Sequence, residues 1–93
     1  MVRAFVIYEG EVDPARYEQH VPLCNVVPGA TAFRHGKVFG APMGEPEFHY
    51  YAEFEYPDRE ALESSVRSPE MGAAVKDAMA MGVPFKVHFA DVD

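Results

Sequence analysis

Between Phe48 and Tyr56 the chain alternates: Phe48, Tyr50, Ala52, Phe54 and Tyr56 form an apolar side, and His49, Tyr51, Glu53 and Glu55 form a polar one. Successive side chains of a strand point to opposite faces, so the run predicts a strand with one face buried. A half-buried strand needs paired neighbours and a covering layer to be stable. The remaining sequence offers both. Val2 to Tyr8 is a β-branched and aromatic run that stops at Glu9-Gly10, as a strand bounded by a turn does. Ala30 to Phe39 is a third strand-like run, joined to Phe48 by the Gly/Pro-rich connector Gly40 to Glu47, so the two predict a hairpin with a long loop. Val83 to Val92 closes the set, with Phe85, Val87 and Phe89 on one side.

The covering layer is written in caps. Asp13-Pro14 places a side-chain acceptor before a proline at the first helical position, where the missing N–H costs nothing. The helix it opens is expected to end near Val21, because Pro22 lacks a donor and crowds the carbonyl four residues back. Pro57-Asp58 opens a second helix that turns Ala61, Leu62, Ser65 and Val66 inward. Ser68-Pro69-Glu70 restarts it, and Met71, Ala74, Val75, Ala78 and Met79 follow at i, i+3, i+4, i+7, i+8. Gly82 is the expected stop.

The order is β-α-β-β-α-β, which predicts an α+β fold of ferredoxin-like plan over residues 1–93 as one domain. Helices on one face of a four-stranded sheet leave the other face open, with Phe5 and Ile7 or their counterparts on the alternate positions among its side chains. Soluble monomers rarely expose such a patch, so a homodimer packed sheet against sheet is expected.

Charge narrows the partners. Fifteen acids against eight bases give a net charge of −7, which excludes the phosphate-neutralising surface of nucleic-acid binding. No run of 18 or more apolar residues predicts a membrane span. A single cysteine, Cys24, together with the absence of an export signal at the start, suits a cytoplasmic, reducing setting. The sequence has neither a dinucleotide-binding glycine pattern nor a Gly-x-Ser-x-Gly elbow, and its four histidines are scattered, so no organic cofactor and no metal are expected.

His20 is the candidate acid/base residue. Positions 13, 17, 20 and 24 share one helix face, and imidazole titrates close to neutral pH. The structural alternative is a helix-ending histidine bonded to the carbonyls that Pro22 frees. Tyr17 is a candidate substrate-positioning hydroxyl or, alternatively, a ring packed on the sheet. Tyr51 and His49 line a pocket only if the polar side of their strand faces the helices. Cys24 is a nucleophile with His20 as its base, or a small buried hydrophobe. Met71, Met79 and Met81 suit a core or a soft wall for an apolar ligand.

Asp13-Pro-Ala-Arg-Tyr17, His20-Val-Pro-Leu23, Pro28-Gly29, Tyr51-Ala-Glu-Phe-Glu-Tyr56 with Asp58, and Ser68-Pro-Glu70 with Ala73-Ala-Val75 resemble the ethyl tert-butyl ether degradation (EthD) family over nearly the whole chain. The resemblance implies a dimeric α+β barrel whose subunits each keep a pocket between sheet and helices. Barrels of this kind serve muconolactone-type isomerases, polyketide cyclases and cofactor-free monooxygenases, so the fold alone names no reaction. The expectation for this chain is a homodimer that takes a small hydrophobic or aromatic carbonyl compound. His20 would act as general acid/base, with Tyr17, Tyr51 and His49 as substrate contacts. The rival expectations are a cofactor-independent monooxygenase of a phenolic substrate and a non-catalytic binder of a hydrophobic metabolite.

Overall fold

The computed structural model describes residues 1–93. Four strands, β1 (Val2–Tyr8), β2 (Ala32–Lys37), β3 (Tyr50–Tyr56) and β4 (Phe85–Asp91), form one sheet in the order β2-β3-β1-β4. Every neighbouring pair is antiparallel. In register, Val2 faces Tyr56 on one side and Asp91 on the other, while Tyr8 faces Tyr50 and Phe85. Three helices, α1 (Pro14–Asn25), α2 (Arg59–Val66) and α3 (Pro69–Ala80), lie on one face. This is the α+β ferredoxin-like plan.

The helices begin where their caps place them. Asp13 Oδ1 accepts from the Ala15 N–H at 3.1 Å, Asp58 Oδ1 from Ala61 at 2.8 Å, and the Ser68 hydroxyl from Met71 at 3.1 Å. Ser68 also donates to the Ser65 carbonyl at 2.6 Å, which ties the end of α2 to the start of α3. After α3 the chain turns at Gly82 with φ +74, a left-handed conformation that glycine adopts without strain.

The first helix does not end at Val21. It runs through Pro22 to Asn25. Pro22 and Glu18, whose carbonyl loses its intrahelical donor, are both exposed residues, so the break falls on the solvent side of the helix. The buried side, Tyr17, His20 and Cys24, continues unbroken across the proline and holds the helix on the sheet. Tertiary packing outweighs the local break.

The alternation of β3 resolves as its apolar side requires. Tyr50, Ala52, Phe54 and Tyr56 lie under the helices beside Ala4 and Tyr8 of β1, and Phe54, Tyr56, Leu62 and Ala74 form the larger core cluster. Tyr56 and Ser65 share a buried hydrogen bond of 2.8 Å. The inward stripe of the second helical segment is narrower than its spacing suggests. Leu62, Ser65, Ala74 and Ala78 are buried, while Val66, Val75 and Met79 are at least 42% exposed. The reason lies in the placement of the helices. They pack over β1 and β3, with α1 against α3, and leave the inner side of edge strand β4 uncovered, so Val87 and Phe89 are 48% and 61% exposed.

The opposite face carries Phe5, Ile7 and Tyr51, all half-buried, with Phe5 stacked on Tyr51 and His88 at centroid distances of 6.4 and 5.1 Å. Around them runs an ion-pair network in which Arg3 reaches Glu53 at 3.0 Å and Glu55 at 3.4 Å, and Arg34 reaches Glu55 at 3.5 Å. The open face is therefore mixed in character rather than uniformly apolar.

Candidate active site

The uncovered inner side of β4 forms one wall of a cleft of about 130 Å³ between the sheet and α3, with α1 at its inner end. Its lining is almost entirely apolar: Val6, Phe54, Ala74, Val75, Val87 and Phe89 represent its character. Three lining side chains carry a hydrogen-bonding or nucleophilic atom, namely His20, Cys24 and Tyr8.

His20 is 4% exposed and is held from across the helix pair. Its Nδ1 lies 2.8 Å from Oδ2 of Asp77 on α3. Arg16, one turn before His20 on α1, grips the same carboxylate with both ends of its fork, Nη2 donating to Oδ1 at 2.8 Å and Nη1 to Oδ2 at 3.2 Å. The Arg16 guanidinium, and after it His20, hold the Asp77 carboxyl below the usual carboxylate range, against the upward push of partial burial. An ionised carboxylate only accepts, so the proton of the neutral imidazole sits on Nδ1 and the lone pair on Nε2. Nε2 has no partner within the chain, and the ring borders the cleft. This arrangement is a carboxylate–imidazole dyad whose free nitrogen can take a proton.

Asp77 and Arg16 were not among the sequence candidates. Arg16 carried a local signal, a base four residues before a histidine on one helix face. Asp77 carried none, since it lies 57 positions from His20 and beside an apolar stripe.

Tyr17 is 1% exposed and sits in an aromatic cluster, 4.6 Å from the Tyr50 ring, 5.2 Å from both His20 and His35, and edge-on to Tyr8 at 5.8 Å. Its hydroxyl is buried without a hydrogen-bond partner, and burial pushes its pKa up, as does the neighbouring Tyr8 hydroxyl. Cys24 lines the cleft, but burial pushes its thiol up to about 12, with Asp77 adding to the effect. It is a protonated thiol at neutral pH, which removes the form a nucleophile needs.

Tyr51 and His49 lie elsewhere than the cleft. The alternation that puts Tyr50 under the helices puts Tyr51 on the open face, where it stacks on Phe5. His49 precedes β3 with an exposed side chain. Its backbone N–H donates to the Tyr8 carbonyl at 2.8 Å, and its carbonyl accepts from Val38 at 3.0 Å. The residue of this stretch that does reach the aromatic cluster is Tyr50, whose hydroxyl pairs with His35 Nδ1 at 2.7 Å. No three His, Cys, Asp or Glu side chains converge in a metal-binding group. No helix is long and apolar enough to cross a membrane.

No protein-family model and no curated protein matches the chain. Solved structures do. An EthD family protein from Bacillus halodurans C-125 is 28% identical over 100% of this chain and 99% of its own, with a TM-score of 0.84. A dimeric ferredoxin-like protein of unknown function from Jannaschia sp. CCS1 is 20% identical, covers 98% of each chain and has a TM-score of 0.78. A hydroxynitrile lyase from Passiflora edulis is 16% identical over 99% of this chain and 93% of its own, with a TM-score of 0.77. The resemblance to the EthD family thus holds over the full length of the fold, and the more distant likenesses establish the fold alone.

Proposed function

We propose, from an EthD-like chain carrying a buried His20–Asp77 dyad, that the protein catalyses proton transfer on a small, largely apolar carbonyl compound. The supporting observation is the dyad's position: Nδ1 is committed to Asp77 at 2.8 Å while the ring borders a cleft with no Lys, Arg or carboxylate among its lining residues. In such a cleft Nε2 removes a proton from the carbon next to the carbonyl. Asp77 stabilises the imidazolium that results, and the same proton returns to a different atom. Returned to another carbon, it completes an isomerisation; delivered to a departing hydroxyl, it completes a dehydration. The chain's own groups suffice for either step.

The fold also supports a homodimer, because a relative of the same plan is dimeric and the half-buried Phe5, Ile7 and Tyr51 await cover. In this reading the protein works as a pair of chains in a reducing compartment.

Exchange of the methyl protons of acetophenone in deuterated water, followed by NMR, tests the catalytic reading without knowledge of the natural substrate. The wild type is expected to speed exchange above the buffer rate, and His20→Ala to remove about 10²- to 10⁴-fold of that gain. Equal exchange by the two proteins defeats the acid/base assignment. Binding without exchange marks a carrier instead, and oxygen uptake with an electron-rich phenol marks the monooxygenase.

A further inference from the structure

A carbonyl oxygen in the cleft needs a donor, and His20 does not supply one. With Nδ1–H given to Asp77, Nε2 of the neutral ring only accepts. The Cys24 thiol is a weak donor. The remaining lining side chain with a polar atom is Tyr8, at the end of β1. Tyr8 is 1% exposed, and its ring is fixed between Tyr17, edge-on at 5.8 Å, and Phe85 at 5.7 Å. Behind it lies the second observation. Tyr17 Oη is fully enclosed, and no bond to it reaches full hydrogen-bond geometry, although the Tyr8 hydroxyl stands next to it as a hydrogen-bonding neighbour. Buried polar groups are almost always satisfied, and an exception asks for a reason.

A ligand oxygen supplies one. We infer that Tyr8 and Tyr17 are the oxygen-binding half of the site, a two-phenol chain in which Tyr17 donates to Tyr8 and Tyr8 donates to the carbonyl oxygen of a neutral, apolar ligand. The inference rests on the reading of the cleft as a carbonyl site and adds Tyr8, a residue outside the sequence candidates. Burial raises the pKa of both phenols, so both keep their protons at neutral pH. The same oxygen becomes negative as His20 withdraws the neighbouring proton, and a donor already aimed at it strengthens as that charge grows. Because no Lys or Arg lines the cleft, a carboxylate or phosphate would enter without a counter-charge, so the ligand class is uncharged.

Acetophenone and ethylbenzene share a carbon skeleton and differ by the carbonyl oxygen, so calorimetric titration with each isolates the contact. In Tyr8→Phe the affinity for acetophenone is expected to fall about 3- to 10-fold, while that for ethylbenzene stays unchanged. Tyr17→Phe is expected to weaken acetophenone less than Tyr8→Phe does, since Tyr17 acts on the ligand only through Tyr8. Undiminished acetophenone affinity in Tyr8→Phe overturns the inference, as does an equal loss for both probes or a wild type that binds neither at millimolar concentration. Failure of proton exchange alone, with the Tyr8-dependent discrimination intact, removes the catalytic role of His20 and leaves the oxygen site standing.

Discussion

The two faces of this sheet meet the cost of burying polar groups in different ways. Under the helices nearly every side chain is apolar, and the polar atoms are few and separately accounted for. Tyr56 is bonded to Ser65, His20 to Asp77, and the Tyr17 hydroxyl has Tyr8 as its neighbour. On the open face, full charges stand in the middle of strands. Glu53 is 8% exposed yet ion-paired with Arg3 at 3.0 Å, and Glu55 is shared between Arg3 and Arg34. The contrast teaches where chemistry can sit. A network whose carboxylates are already held by guanidinium groups has little to offer a neutral substrate, whereas a dry face with one unspent lone pair and one phenol beside it has both.

Leu62→Ala probes the covered face at its most packed point and is expected to have the largest effect. Leu62 is 5% exposed within the larger core cluster, and removing it costs about 2–5 kcal/mol, read from the urea midpoint. A loss well under 1 kcal/mol would show that the helices pack loosely on the sheet. Asp77→Asn comes next and acts through pH. The Asp77 carboxyl titrates below its unfolded value, so its contribution is complete above that value and disappears as pH falls through the folded one. The melting-temperature gap between wild type and Asp77→Asn is therefore widest at neutral pH and closes in strong acid. A gap that persists unchanged into strong acid would mean that shape, not charge, makes the contact. The smallest effect on the fold is expected from Tyr51→Glu on the open face, which leaves the far-UV circular dichroism of the chain intact. Its readout is mass. Light scattering is expected to fall from two chains to one, and a wild type already at one chain removes the dimer.

Much of this fold could be read from local signals. Asp13, Asp58 and Ser68 announce helix starts because a cap is satisfied by N–H groups two or three residues away, and Gly82 announces a stop for an equally local reason. Pro22 misled because the break it threatens is local while the packing of Tyr17, His20 and Cys24 that overrides it is not. The placement of Tyr51 and His49 was within reach. The apolar side of β3 had to go under the helices, and reading that side to its end selects Tyr50.

What the amino-acid order determined by itself was the set of elements, the starts of the helices, and the helix face that carries His20, since these depend on backbone geometry and neighbours within a turn. Only the folded chain decided that Asp77 would orient that imidazole across 57 positions, that Tyr8 and Tyr17 would meet behind it, and that β4 would leave its inner side open as a cleft. Those choices arise from how α1, α3 and the sheet settle against one another, and packing of distant segments leaves no period or spacing in a single sequence.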